Sequence, residues 1–112
     1  MTQDDKDLLL KDLCARLPYF TKVQIKNEIV VLNSICDDDG YHFNFIGDDR
    51  EGVNIENIKP YLFPMSKVVE EIVTTSNKHI AVNVDFFHKN HIDYRGLIPK
   101  GLANDATGLN IY

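Results

Sequence analysis

Apolar residues recur at helical spacing near the start of the chain. The stripe consists of Leu9, Leu10, Leu13, Cys14 and Leu17. Because residues three and four apart share one face of a helix, this repeat predicts an amphipathic helix. Asp4 or Asp5 can cap it, and Pro18 ends it because the residue before a proline avoids the helical conformation. We therefore predict a helix over residues 4–16.

Alternating apolar and polar positions then predict four short antiparallel strands. The predicted strands are residues 23–25, 29–36, 41–46 and 53–55. The second strand is apolar on both faces in its first half, which predicts a central position covered on both sides. Short turns join consecutive strands, so we expect a meander that curls towards a small barrel.

The second half of the chain is predicted to leave the sheet. Pro60 and Pro64 bracket residues 61–63, which are predicted to form an extended crossing segment. Ser66 can cap a helix with an apolar stripe, and a further short helix is predicted after Asn83, running to about His91. The predicted fold is a single α+β domain: an N-terminal helix, a four-stranded antiparallel meander curled towards a small barrel, two C-terminal helices and a turn-rich tail.

Length and composition indicate one ordinary globular domain. The chain has 112 residues, of which 44% are hydrophobic and 26% charged. Its longest apolar runs, residues 8–10 and 29–32, are far shorter than the roughly 20 residues that span a bilayer. Residues 2–6 are polar and acidic, without the features of a secretory signal. We therefore expect a cytoplasmic protein that does not bind membranes.

The two cysteines, Cys14 and Cys36, do not form a Cys-x-x-Cys pair, so neither a metal knuckle nor a thioredoxin-like motif is present. We expect both to be reduced, mostly buried and small hydrophobic residues. No elbow around a nucleophilic serine, phosphate-binding glycine loop or dinucleotide fingerprint occurs. These observations predict a protein that is not an enzyme and needs no cofactor.

The net charge of −5 is concentrated in one window of the chain. Residues 37–51 contain six acidic residues and one arginine, so the window alone carries −5. A chain without a basic stripe lacks the lysines and arginines that neutralise phosphates. We therefore expect no direct binding to nucleic acid.

The acidic residues Asp38, Asp39, Asp48 and Asp49 are candidate protein-binding residues. Contiguous aspartates cannot all turn towards one ion, so a calcium loop is not favoured and solvated turns are the simpler interpretation. The same acids could imitate a nucleic-acid backbone and block a DNA-acting enzyme. Against this interpretation, they occur in two separate patches.

His88 and His91 are three residues apart, so on one helix both could reach a metal ion, with Asp93 as a third ligand. A small metal-dependent hydrolase or nuclease would use such a site. The spacing is much less specific than His-Glu-x-x-His. The alternative is a solvated helix end whose histidines face water or favour the helix C-terminus when protonated.

The segment from Asp93 to Ala103 reads Asp-Tyr-Arg-Gly-Leu-Ile-Pro-Lys-Gly-Leu-Ala and fits neither a helix nor a strand. Gly96 and Gly101 permit left-handed turns, and Arg95 could bind backbone carbonyls or a carboxylate such as Asp93 or Asp85. We therefore expect the segment to pin the tail onto the helices. Tyr94 and Arg95 could alternatively form a recognition pair, because both residue types are favoured in binding hot spots.

Together with Lys-Pro-Tyr-Leu-x-Pro-Met-Ser at residues 59–66, this segment resembles a group of small uncharacterised proteins from anaerobic gut bacteria, their phages and related mobile elements. The leading helix and the short tail ending in an aromatic residue come in the same order there. The resemblance covers most of the chain. No activity is established for the group, so the resemblance implies a family and no chemistry.

The sequence therefore predicts a non-enzymatic accessory protein that acts through contacts with a protein partner. The predicted contact surfaces are the acidic loops and an exposed aromatic edge around Tyr61 and Phe63. The metal-dependent hydrolase and the acidic inhibitor of a DNA-acting enzyme are the alternatives from other classes. The identity of the partner and the oligomeric state stay open.

Overall fold

The computed structural model of the protein describes residues 1–37, 40–48, 50, 52–66 and 84–112. Its N-terminal helix, α1, spans Gln3–Ala15. The Thr2 hydroxyl accepts a hydrogen bond from the Asp5 backbone N–H at 3.1 Å, and the Asp5 carboxylate accepts one from the Thr2 N–H at 3.4 Å. This reciprocal capping box places the cap at Thr2, so the predicted cap at Asp4 or Asp5 is wrong.

Among the described residues, six strands and one further α-helix follow α1. They are β1 (Lys22–Ile25), β2 (Glu28–Asp37), β3 (Tyr41–Phe45), β4 (Ile58–Pro64), α2 (Val84–Lys89), β5 (Ile92–Asp93) and β6 (Asn104–Asp105). Single turns of 3₁₀ helix lie at Leu17–Tyr19 and Ile55–Asn57. The mixture of helices and sheet confirms the α+β class. The helix predicted to begin after Ser66 and to end near residues 75–77 lies outside the described part of the chain.

The strand order is β3-β2-β1-β4-β5, and β6 also pairs with β4. The first three strands form the antiparallel meander that the alternation predicted. The fourth predicted strand, residues 53–55, is not a strand, and β4 pairs with β1 instead of extending the meander beyond β3. In the order that the described residues give, β3 and β5 are the two ends, so closure into a small barrel is not confirmed.

The segment with two prolines lies inside the sheet, which corrects the predicted crossing segment. Pro60 lies opposite Val23 of β1, and Pro64 is the last residue of β4. The parallel pairings of β4 with β6 and β5 involve residues 61–64. Proline is tolerated in a strand where its missing N–H is not required by the ladder. Pro60 precedes those two pairings, and Pro64 ends them.

The helix α1 packs on one face of the sheet, which we call the inner face because the core lies there. The core cluster contains Leu9, Leu13, Val23, Ile25, Leu32, Phe43, Phe45, Ile58, Leu62, Leu97, Leu102 and Ala103. Alternation along β1 turns Lys22 and Gln24 to the opposite, outer face. The C-terminal block contributes Leu97 and Leu102 to the core, which fixes the end of the chain against the sheet.

Both cysteines are exposed, so the prediction that Cys14 and Cys36 are mostly buried is wrong. Cys14 is the residue after the buried Leu13, and the helix turns it away from the core. Partial burial still raises the pKa of the Cys14 thiol.

Candidate functional site

The outer face carries an open groove of about 710 Å³ between the β2–β3 hairpin and the C-terminal segment. Its lining includes Lys22, Glu28, Ile29, Val31, Ile46 and Ile111. Ile29 and Ile46 are large aliphatic side chains, yet they are 49% and 48% exposed. An apolar floor open to solvent is typical of an interaction surface.

The register of the sheet places these aliphatic residues on the outer face. Ile29 pairs with Gln24, and Val31 pairs with Lys22, so both share the face that α1 does not cover. The Ile46 N–H donates to the Val31 carbonyl at 2.9 Å, which brings Ile46 beside Val31. The apolar residues on the two faces of β2 therefore have different structural roles. One face completes the core, and the other forms the groove.

Acidic side chains border the groove. Arg50 forms ion pairs with both Glu28 and Asp48, the latter at 2.9 Å. Hydrogen bonds from Arg50 hold the pKa of the Asp48 carboxyl below its ordinary value. The Glu28 side chain remains 65% exposed. Asp48 is therefore engaged within the molecule, and the predicted binding residues Asp38, Asp39 and Asp49 lie outside the described residues.

The C-terminal segment forms the other wall of the groove. Strand β6 pairs with Tyr61 and Leu62, and the Ala106 N–H donates to the Leu62 carbonyl at 2.8 Å. The chain then returns across β1, where the Tyr112 hydroxyl accepts from the Lys22 N–H at 2.8 Å and donates to the Tyr61 carbonyl at 2.8 Å.

The Tyr112 side chain contacts both residues that the sequence predicted to form an exposed aromatic edge, through its hydroxyl at the Tyr61 carbonyl and through its ring at Phe63. Tyr61 is only 8% exposed, and Phe63 is half-buried with its ring centroid 5.9 Å from that of Tyr112. The predicted exposed aromatic edge at Tyr61 and Phe63 is therefore wrong. Both residues belong to β4, and the chain's own terminus lies over them.

A second concave surface lies on the other side of β3, between this strand and α1. It is a cavity of about 380 Å³ whose lining includes Leu10, Tyr41, Phe43, Val53 and Ile55. Gln3 and Asp7 at its border are hydrogen-bonded to each other at 2.9 Å. This cavity is the natural comparison for the groove, because aliphatic side chains line both surfaces and both are open to solvent.

The three candidate metal ligands have different contacts. His88 Nε2 lies 2.7 Å from the Tyr94 hydroxyl, and both carboxylate oxygens of Asp93 accept backbone N–H groups, from Leu97 at 2.8 Å and Ile98 at 2.9 Å. His91 stacks on Tyr112 with ring centroids 3.8 Å apart. Among the described residues, no group of three His, Cys, Asp or Glu side chains could hold a metal ion.

His91 packs against Tyr112 on the outer face. It has a φ of 58°, and its Nδ1 is buried without a hydrogen-bond partner among the described residues. Burial, together with the smaller effect of the positive charges of Arg16 and Lys22, lowers the pKa of His91 to about 4. The neutral ring is therefore the form that stacks on Tyr112 at neutral pH.

The strongest polar cluster lies on the inner side of the molecule and centres on Arg16, which is absent from the predicted site residues. Arg16 and Asp12 are both fully buried and form an ion pair at 2.8 Å. Arg16 also donates to the Ile92 carbonyl at 2.5 Å, and Arg95 binds Asp12 at 3.1 Å. The sequence contains an indication of this ion pair, because Asp12 and Arg16 are four residues apart on the helix face that also carries Leu9 and Leu13.

The Tyr-Arg couple belongs to this cluster. The guanidinium carbons of Arg16 and Arg95 lie 5.5 and 4.8 Å from the centre of the Tyr94 ring, within the range of cation–π contacts. Arg95 therefore binds Asp12 of α1, a carboxylate that was not among the predicted partners. Gly96 and Gly101 both adopt the left-handed conformation with φ of 75°. Within the described residues, the couple holds the C-terminal block against α1.

Comparison with known proteins gives no relatives: no family model, no curated protein and no solved structure matches this chain. None of the helices in the described ranges has both the length and the apolar character needed to cross a membrane.

Proposed function

We propose that this chain is a non-enzymatic protein-interaction domain that binds an extended segment of a partner protein in the outer-face groove. The observation that carries the proposal is the pair of exposed aliphatic residues, Ile29 and Ile46, on the floor of an open groove. Exposed aliphatic side chains clustered in a concave surface gain most from being covered by another apolar surface.

Charge specifies the chemistry of the partner segment. Asp48 and Glu28 both line the groove, and the Glu28 carboxylate stays exposed although Arg50 pairs with both acids. Complementary charge favours the encounter and fixes the register of a bound segment. We therefore expect apolar residues for the groove, with lysine or arginine beside them for its acidic border.

The resemblance to small proteins of gut bacteria and their mobile elements extends this proposal to a cytoplasmic accessory protein. Among the described residues, no observation favours either of the two other function classes. In the described structure, His88 contacts the Tyr94 hydroxyl, and Asp93 accepts hydrogen bonds from the backbone of Leu97 and Ile98. Asp48 forms an ion pair with Arg50.

Selection from a random peptide library displayed on phage tests the proposal. The full-length wild type is the bait, and the affinities of the enriched peptides are then measured for wild type and for the Ile46→Ser variant. We expect enrichment of peptides that combine aliphatic and basic residues, and a loss of affinity of at least about tenfold for Ile46→Ser.

The matched control is Tyr41→Ser, which removes a side chain that is 52% exposed in the cavity between β3 and α1. It should leave the affinity of the selected peptides unchanged. Peptides that lose affinity with Tyr41→Ser and keep it with Ile46→Ser would assign binding to that cavity and overturn the proposal. So would a selection in which no peptide distinguishes wild type from Ile46→Ser.

A further inference from the structure

The Tyr112 hydroxyl lies where the β1–β4 ladder ends. The paired residues of these strands run from Ile25 opposite Ile58 to Val23 opposite Pro60. One step further along the same register, Lys22 faces Tyr61. There the Tyr112 hydroxyl accepts from the Lys22 N–H and donates to the Tyr61 carbonyl, each at 2.8 Å. The hydroxyl therefore bridges the two strands at the position where a direct backbone hydrogen bond between β1 and β4 would otherwise continue the ladder.

The ring of Tyr112 is held by three side chains around this position. His91 stacks on it in near-parallel orientation, at an interplanar angle of 14°. Phe63 packs at a tilted angle, and the Lys22 ammonium lies 5.6 Å from the ring centre. Burial raises the pKa of the Tyr112 phenol to about 12, so the hydroxyl keeps its proton and its bond to the Tyr61 carbonyl. These groups form a socket with the shape and polarity of one tyrosine side chain.

The segment that carries Tyr112 has an exposed middle. Ala106 is buried beside β4, but residues 107–110 are all exposed, and Tyr112 itself is 41% exposed. Gly108 and Asn110 have positive φ values of 79° and 54°, which marks a tight reversal of the chain. A segment held mainly at its two ends can leave without unfolding the sheet, because few buried contacts are broken.

We propose that residues 107–112 form a displaceable strap, which closes the outer face of the sheet by inserting Tyr112 into the socket between β1 and β4. Opening the strap exposes Tyr61 and Phe63 and removes the Ile111 wall of the groove. The open face then offers the tyrosine socket to a partner segment that carries a tyrosine beside an aliphatic residue. The strap is an intramolecular competitor for the face on which the proposed function rests.

Native-state hydrogen exchange on the full-length wild type tests whether the strap opens by itself. The Lys22 amide reports the strap, and the Leu32 amide, which donates to the Thr21 carbonyl at 3.0 Å, reports the core. We expect Lys22 to exchange at least about a hundredfold faster than Leu32, with little dependence on denaturant. Equal opening free energies with equal denaturant dependence would show that the strap leaves only on global unfolding, and would overturn the proposal.

Variants assign the Lys22 signal to the Tyr112 hydroxyl. Tyr112→Phe removes the acceptor of the Lys22 N–H, so the exchange of Lys22 should accelerate at least about tenfold more than that of Leu32. Tyr41→Phe removes a hydroxyl from an exposed tyrosine elsewhere and should leave both rates unchanged. Equal acceleration of both amides in Tyr112→Phe would contradict the assignment.

Binding in trans tests the socket itself. The probe is a synthetic peptide, Thr-Gly-Leu-Asn-Ile-Tyr, which copies residues 107–112. It should bind the full-length Tyr112→Gly variant at least about tenfold more tightly than wild type, and a peptide ending in phenylalanine should bind that variant about tenfold more weakly. The proposed socket would be contradicted if the two peptides bound the variant with equal affinity, or if the tyrosine peptide bound the variant and wild type with equal affinity. Because this result does not depend on Ile46, it separates failure of the strap from failure of the groove.

Discussion

The two faces of the sheet are held by different kinds of contact. On the inner face, Asp12 and Arg16 are both completely inaccessible to solvent, and they share one face of the N-terminal helix with the core residues Leu9 and Leu13. On the outer face, one tyrosine that is 41% exposed bridges two strands with its hydroxyl. Breaking an inner contact leaves a buried charge without a partner, whereas breaking an outer contact returns a hydroxyl to water. Stability therefore depends mainly on the inner face, and the proposed recognition surface lies on the outer face.

The largest effect is expected from Asp12→Ala on the inner face. The substitution leaves Arg16 buried and charged without its carboxylate, and also removes the partner of Arg95. Loss of one member of a buried ion pair costs about 3–5 kcal/mol of the free energy of unfolding. Urea denaturation followed by circular dichroism measures the loss.

The matched control is Lys6→Ala, because Lys6 forms the exposed ion pair of α1 with Glu56 at 2.5 Å. Solvent screens such a pair, so the denaturation midpoint should not change measurably. If Lys6→Ala and Asp12→Ala had similar effects, the difference between buried and exposed contacts would be lost.

A smaller effect is expected from the titration of His91 beneath Tyr112. The folded pKa of about 4 lies below the ordinary value of 6.5, so the unfolded chain binds more protons between these values. Stability should therefore fall as the pH falls from about 6.5 to about 4, by about 1–2 kcal/mol after solvent screening. Thermal unfolding across this range measures the slope.

The variant His91→Asn removes the titrating ring and tolerates the positive φ of this position. The difference in stability between wild type and variant should shrink as the pH falls through that window. A difference that stays constant would show that the ring does not titrate in the stacked position.

An effect of similar size is expected from Gly101→Ala in the C-terminal block. A methyl group at this position meets no atom within 4 Å, so the cost comes from the left-handed backbone alone. This conformation costs a residue with a Cβ atom about 1–2 kcal/mol, which lowers the melting temperature by several degrees. A variant as stable as wild type would show that the turn relaxes.

Local patterns in the sequence predicted the elements that depend on neighbouring residues. The helix α1 and the strands β1 to β3 follow from periodicity and short turns, because their partners are close along the chain. Strand β4 was missed because its two prolines suggested a segment outside the sheet. The pairing of β4 with β6 joins residues more than 40 positions apart, and two-residue strands carry no periodicity.

The candidate site was only partly predictable for the same reason. The acidic window was visible in the composition, but the aliphatic groove depends on the register that puts Ile29 and Val31 on the outer face. The burial of Tyr61 could not be predicted, because Tyr112, which covers it, is 51 residues away along the chain. The buried ion pair of Arg16 with Asp12 was not predicted, although the two residues have the spacing of helix neighbours. A charged residue near the end of a helix is usually expected to be exposed to solvent.

The most direct test of the account maps a selected peptide onto methyl groups by nuclear magnetic resonance. Full-length protein labelled at isoleucine, leucine and valine methyls is titrated with a peptide that the phage selection enriched. We predict chemical-shift changes at Ile29, Val31, Ile46 and Ile111, with Leu9 and Leu13 unchanged. Changes confined to Leu10, Val53 and Ile55, in the cavity beside α1, would contradict the assignment of recognition to the outer face.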